Sequence, residues 1–148
     1  MTNAGPAGMI PVTIVGVATA PDDGSARRER FFIMLASAAE GDSRRLFIGV
    51  GDAEATALAF GLQGQEFPRP MTYQFMASLV AAAGSSVRSV RVTRRADEIF
   101  YAQVTLRGGA VVDARPSDAI NLAAITGAPV FVASELLDLP TDPRLRVR

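Results

Sequence analysis

Twice along this chain a strand-like run gives way to a helical period across a short acidic turn. The first instance is FIGVGDAEATALA from Phe47, and the second is VVDARPSDAINLA from Val111. Overlaid, they pair Glu54 with Asp118, Ala55 with Ala119, Leu58 with Leu122 and Ala59 with Ala123. A period of two changing to 3.6 marks a strand feeding a helix. Each helix here is preceded by further strand-like segments, so each half reads strand, strand, strand, helix. The pattern predicts one α+β domain, with a mixed or antiparallel sheet, packed helices and an internal βββα duplication about a pseudo-twofold. An acid followed by alanine and Leu–Ala is common in helices, so chance similarity of the two segments is the competing reading.

The remaining elements follow from local patterning. Met9–Ala18 is rich in β-branched residues and reads as a strand. Pro21–Arg30 is polar, carries a Pro–Asp–Asp–Gly turn signal and reads as a loop. Phe31–Ala36 is apolar at both parities, as in a strand covered on both faces. Arg45–Val50 is a third strand. Asp52–Leu62 is a helix with Ala55, Leu58, Ala59 and Leu62 on its inner face. Thr72–Ala83 is a second helix, with Phe75, Met76, Leu79, Val80 and Ala83 as its core stripe and Thr72 as its N-cap. Val87–Arg95, Ile99–Arg107 and Ala110–Ala114 are strands, the last two joined at Gly108–Gly109. Pro116–Thr126 is a helix bounded by Pro116 at its first position and Gly127 at its C-cap. Pro129–Ala133 is a final strand, and Ser134 is placed to cap one further turn. Residues 1–8 read as a loose tail, 9–138 as the domain and 139–148 as an aperiodic C-terminal tail.

Composition narrows the chemistry. The 148 residues contain no cysteine and no histidine, and the fifteen basic residues are all arginine. Thiol nucleophiles, zinc–thiolate and imidazole metal sites, histidine general bases and Schiff-base lysines are therefore excluded. Catalysis would fall to carboxylates, hydroxyls, arginine, backbone amides or an oxygen-bound metal. Acidic residues balance the basic ones, so no overall field draws the chain to nucleic acid. No apolar run is long enough to span a membrane, and no signal peptide opens the chain. The expected location is the cytoplasm.

The turn Asp113–Ala123 is the most distinctive segment. It sets Asp113 at a strand end, Arg115 in the turn, and Ser117 and Asp118 in the first turn of a helix. A structural reading has Asp118 complementing the positive helix end and Arg115 pairing with Asp113 or Asp118. A functional reading has Arg115 and Ser117 at an anion site, or Asp113 and Asp118 sharing a divalent metal, magnesium or manganese. A carboxylate already at the helix end favours the structural reading. Asp52 and Glu54 occupy the equivalent turn of the first half, and whether the two turns meet is not legible in the sequence. Arg69, fixed between Pro68 and Pro70, suits phosphate recognition or an internal ion pair. Arg88, Arg91, Arg94 and Arg95 form the densest basic run. As a regular strand it sets Arg91 and Arg95 on one face and Arg88 and Arg94 on the other, which reads as solvated charge. Tyr101 stands alone as an aromatic on the polar face of its strand, where it packs or stacks on a base.

The ordered blocks FIGVGDAEA, PRPMT, IFYA, VDARPSDAINLA and APVFVA resemble the bifunctional nuclease family, in a small single-domain bacterial form. The resemblance runs from about Val12 to Leu137. It is carried by Gly49, Glu54, Pro68, Arg69, Pro70, Thr72, Phe100, Ala102, Asp113, Arg115, Pro116, Ser117, Asp118 and Ala119. It implies an α+β fold, a homo-oligomer, and hydrolysis of phosphodiester bonds in DNA and RNA. Two positions depart from the family pattern. Tyr73 stands where a histidine is usual, and Asn121 where an alanine is usual. A catalytic role for that histidine would make this chain impaired; a structural role would let tyrosine substitute.

Two functions follow. In the first, Asp113, Asp118 and Glu54 are the catalytic carboxylates, with Arg115, Ser117, Arg69 and Thr72 holding phosphate. In the second, the chain is a non-catalytic oligomeric module binding a protein or an anion, and the DARPSDAI motif holds the fold.

Overall fold

Both βββα units form. The computed structural model describes residues 7–22 and 25–148, with the backbone alone for 25–27. The first unit is β1 (Met9–Asp22), β2 (Ser25–Ser37), β3 (Arg45–Val50) and α1 (Asp52–Leu62). After α2 (Thr72–Ala82), the second is β4 (Val87–Ala96), β5 (Ile99–Leu106), β6 (Val111–Ala114) and α3 (Pro116–Thr126). The chain continues through β7 (Val130–Ala133), a 3-10 turn at Ser134–Asp138 and β8 (Arg146–Val147).

Among the described residues, the strands make one mixed sheet in the order β3-β2-β1-β7-β4-β5-β6. Each unit is an antiparallel meander. Strand β7 lies between them, antiparallel to β1 and parallel to β4. The order therefore reads the same outward from β7 on both sides, with β1 and β4 running in opposite directions. A twofold axis through β7, normal to the sheet, generates this arrangement. Strand β8 pairs with Ala18 and Thr19 of β1. The tail expected to be aperiodic thus contributes a strand. Of the tail expected at 1–8, residues 1–6 lie outside the described residues.

The core lies between the sheet and the helices. Helix α3 packs on β4 and β5 and against both other helices, and seven of its eleven residues are buried. Ile120 of α3 is wholly buried beside Leu58, Val90, Val92 and Val132. The end of α3 is set by Gly127, whose φ of 76° reaches the left-handed region that a Cβ disfavours.

Several expectations are corrected. Most of Pro21–Arg30 is strand rather than loop: β1 runs to Asp22 and β2 starts at Ser25, with Asp22 paired to Ser25, while residues 23–24 of the expected turn lie outside the described residues. Partner strands satisfy this backbone, so pairing overrides the polar composition. Thr72 is the first residue of α2, not its cap; Met71 holds that position without a side-chain bond. Likewise Ala133, not Ser134, precedes the 3-10 turn. The stripe assigned to the core in α2 is split: Phe75, Leu79 and Ala83 are exposed, Val80 is half-buried, Met76 packs against the core, and Tyr73 is the one fully buried residue of the helix. Leu62 of α1 is also exposed. Helix α3 already covers the sheet, so α2 has no sheet to meet. Finally, a register shift between Val92 and Arg94 regroups the arginines of β4. Arg94 now shares its face with Arg91, because Arg94 pairs with Tyr101 and Arg91 with Gln103, while Arg95 pairs with Phe100 on the helix side. No helix among the described residues is long and apolar enough to cross a membrane.

Ile120→Ala should destabilise the protein by about 2–5 kcal/mol through the cavity it leaves. Urea unfolding followed by circular dichroism would measure this, and a loss well under 1 kcal/mol would contradict a tightly packed α3.

Candidate functional site

The two acidic turns meet at one arginine. Arg115 precedes α3 in extended conformation, and its guanidinium folds back over the first helical turn. Its Nε donates to Asp118 Oδ2 at 2.8 Å and its Nη2 to Asp118 Oδ1 at 3.0 Å. The same Nη2 reaches Glu54 Oε1, in the first turn of α1, at 3.5 Å. Asp118 also accepts a 2.8 Å hydrogen bond from the Tyr73 hydroxyl of α2. One chain of bonds therefore links all three helices: Tyr73, Asp118, Arg115, Glu54.

Backbone contacts reinforce the junction. Asn121, 1% exposed, donates from Nδ2 to the carbonyl of Glu54 at 3.2 Å and of Ser117 at 2.9 Å. Its amide thus fastens the start of α1 onto α3, as a buried donor must find acceptors. The Glu54 carboxylate lies against Gly51, where any Cβ would collide with it. Gly51 is the counterpart of Arg115 in the overlaid halves. The first half leaves room where the second half supplies the cation.

The electrostatics follow from this geometry. The Arg115 guanidinium holds the Asp118 carboxyl below its ordinary range against the opposing effect of burial, and the Tyr73 bond lowers it further. Burial, and then the neighbouring Asp118, push the Tyr73 phenol above the ordinary tyrosine range. Hydrogen bonding to Asp118 chiefly raises Arg115, which stays charged.

The site opens on a groove of about 1100 Å³. Glu54, Arg115 and Ser117 line it, together with Arg30, Arg45 and Arg95 and with the carboxylates Glu29, Asp52, Glu98 and Asp142, so both signs of charge face it. The Arg95 guanidinium lies 5.6 Å from the ring centre of Phe100, and that of Arg30 lies 5.2 Å from Phe32. Arg115 keeps 65% of its side chain exposed, so its outer edge faces the groove.

Of the other expected residues, Asp52 lines the groove without joining this network, and Asp113, Arg69 and Thr72 lie elsewhere. Asp113 is exposed on β6 and makes none of these bonds. Asp52 accepts from Thr56 within α1. Arg69 and Thr72 are exposed outside the groove. Among the described residues, no group of three or more aspartates and glutamates is placed to hold a metal ion. Sequence reasoning missed the binding role of Asn121, although its departure from the usual alanine was the signal. It also missed Arg30 and Arg45, which carried none.

An arginine braced by two carboxylates at paired helix starts, facing a groove lined by both signs of charge, is the site that this α+β fold builds. The chain belongs to the bifunctional nuclease domain family, whose model matches residues 33–141. It is 38% identical over 105 residues to an uncharacterised protein of Mycobacterium tuberculosis, covering 71% of this chain and 63% of that one. It is 35% identical over 99 residues to bifunctional nuclease 1 of Arabidopsis thaliana, covering 63% of this chain and 30% of the plant protein. The chain thus spans less than two thirds of each relative's length.

Tyr73→Phe should cost about 1–2 kcal/mol, since it removes a hydrogen bond to a charged group. Because the folded pKa of Tyr73 is raised, the stability this bond contributes is full below about pH 10 and falls as pH rises further. Urea unfolding across the alkaline range should show this decline in the native protein and its loss in Tyr73→Phe. An unchanged alkaline limb would place the phenol outside the network.

Proposed function

We propose that this protein is a nuclease that hydrolyses phosphodiester bonds of DNA or RNA in the groove where the two helix starts meet. The observation that carries the reading is Arg115, fixed by Asp118 and Glu54 yet open to the groove. Such an arginine pre-organises a fork for a phosphate oxygen. Glu54 has only one long bond to Arg115 and is the carboxylate free to take the proton of an attacking water. Asp118 is a positioning residue, since both its oxygens are engaged. Arg30, Arg45 and Arg95, set among Glu29, Asp52, Glu98 and Asp142 in the lining, supply further cations for neighbouring phosphates. The family and its plant nucleases support the substrate class. Magnesium and manganese enter as variables of the test, because the Arg115 guanidinium already stands between Glu54 and Asp118.

A second reading is favoured by the chain of bonds itself. A network joining all three helices is what a non-catalytic module would need to hold its fold.

Cleavage of labelled single-stranded RNA, single-stranded DNA and duplex DNA, with magnesium, manganese or chelator, separates the readings. Glu54→Gln and Arg115→Ala should lose at least about 100-fold in rate while remaining folded. Asp118→Asn should lose activity and melt earlier. Equal cleavage by all preparations, or none by the native protein, would leave only the structural role.

We also infer assembly into a homo-oligomer through α2. That helix contains no charged residue and exposes Phe75 and Leu79 one turn apart, with Met71 exposed at its N-cap a turn before them. Ser78 and Ala82 leave shallow gaps between them for the same stripe of a second copy. Light scattering should show an oligomer that Leu79→Glu dissociates; a monomeric native protein would refute the assembly.

A further inference from the structure

The helix-free face of the sheet carries a second cationic feature, which the groove does not use. The register places Ser89, Arg91 and Arg94 of β4 on this face, opposite Thr105, Gln103 and Tyr101 of β5. Arg91 is half-buried, and among the described residues it makes no ion pair and no hydrogen bond. Its Nε is buried without a partner, and so is the hydroxyl of Thr105, a residue only 7% exposed. A guanidinium Nε–H stripped of water and left unpaired is costly, and so is a buried hydroxyl without an acceptor. The two lie on adjacent strands and on the same face, two ladder positions apart. An oxyanion above them would satisfy both.

Beside this pair stands an aromatic platform. The Arg94 guanidinium lies 3.6 Å from the ring centre of Tyr101, against one side of the ring. A ring backed by a cation is a good stacking surface for a base. Tyr101 stands two residues along β5 from Gln103, the partner of Arg91, and four from Thr105, so phosphate and base positions lie about 7–14 Å apart, within the span of one to two nucleotides. Asp113, across from Gln103 on β6, is the one carboxylate on the ladder here and sets the outer limit of the basic strip.

We propose that this face is a docking site for single-stranded nucleic acid, in which Arg91 and Thr105 take a phosphate and Tyr101, backed by Arg94, stacks a base. The proposal rests on the nuclease reading for its substrate class and adds a surface remote from the bond being cut. Two unpaired arginines and one carboxylate give the face the charge that a polyanion complements.

Fluorescence anisotropy in chelator would test it, using labelled oligo-uridylate and oligo-thymidylate of about twelve residues and a duplex of equal length. Arg91→Gln and Tyr101→Leu should each weaken single-strand binding about tenfold, with the melting temperature unchanged. Hydrolysis of the small diester bis(4-nitrophenyl) phosphate should be unaffected in both variants. Native-like binding by both variants would overturn the proposal. So would inorganic phosphate binding as tightly as the oligonucleotides, which would assign Arg91 to a free ion. Loss of an oligomer in Arg91→Gln would assign the face to a second copy and overturn it equally. Failure of the nuclease reading looks different: the native protein would leave the small diester intact, while the variants would still lose oligonucleotide binding.

Discussion

The helical layer of this protein is organised by one cation. Arg115 bonds both oxygens of Asp118 and reaches across to Glu54, so the starts of α1 and α3 share a single positive charge. Two carboxylates brought together without it would repel. With it, the Asp118 carboxyl is held below its ordinary range and the helix starts are held side by side. Exposed ion pairs are weak individually. Here the pair is reinforced by Tyr73 and by the buried Asn121 amide, which fix the partners from the side away from solvent.

The duplicated topology explains why the cation is needed only once. A twofold relation brings equivalent positions of two helices toward the same axis, so Glu54 and Asp118 become neighbours. A strictly repeated sequence would place two arginines there as well. Gly51 replaces the first of them and gives its space to the Glu54 carboxylate. The break in symmetry falls at the groove, and it leaves one arginine edge open to ligand rather than two closed against each other.

Much of the fold was legible because its signals are local. The bounds of α1 and α3 follow from the acidic turn, Pro116 and Gly127, each a backbone constraint that acts within a few residues. The errors came where partners decide. Asp22 and Ser25 are strand residues because they face each other, not because of their composition. The stripe of α2 has the period of a core helix, but α3 occupies the sheet it would have covered. The faces of β4 were misassigned because an irregular register leaves no mark in the residues themselves. For the site, Glu54, Arg115 and Asp118 stand out in the sequence as charged residues at two helix starts, while their meeting is a property of the tertiary fold. Asp113 shares the motif but points its chemistry elsewhere.

The position of β7 has a consequence for how the chain folds. Each meander pairs strands that are close in sequence and can form soon after its own residues are available. The strand that joins them comes after α3, and it must pair with β1 at Met9–Val12, near the opposite end of the domain. Closing so long a loop is slow relative to hairpin formation. Until β7 arrives, β1 and β4 each present an open edge to the solvent and to each other's copies. The seam through the middle of the sheet, rather than its outer strands, is therefore the last part to close and the first place where two half-formed chains would exchange partners.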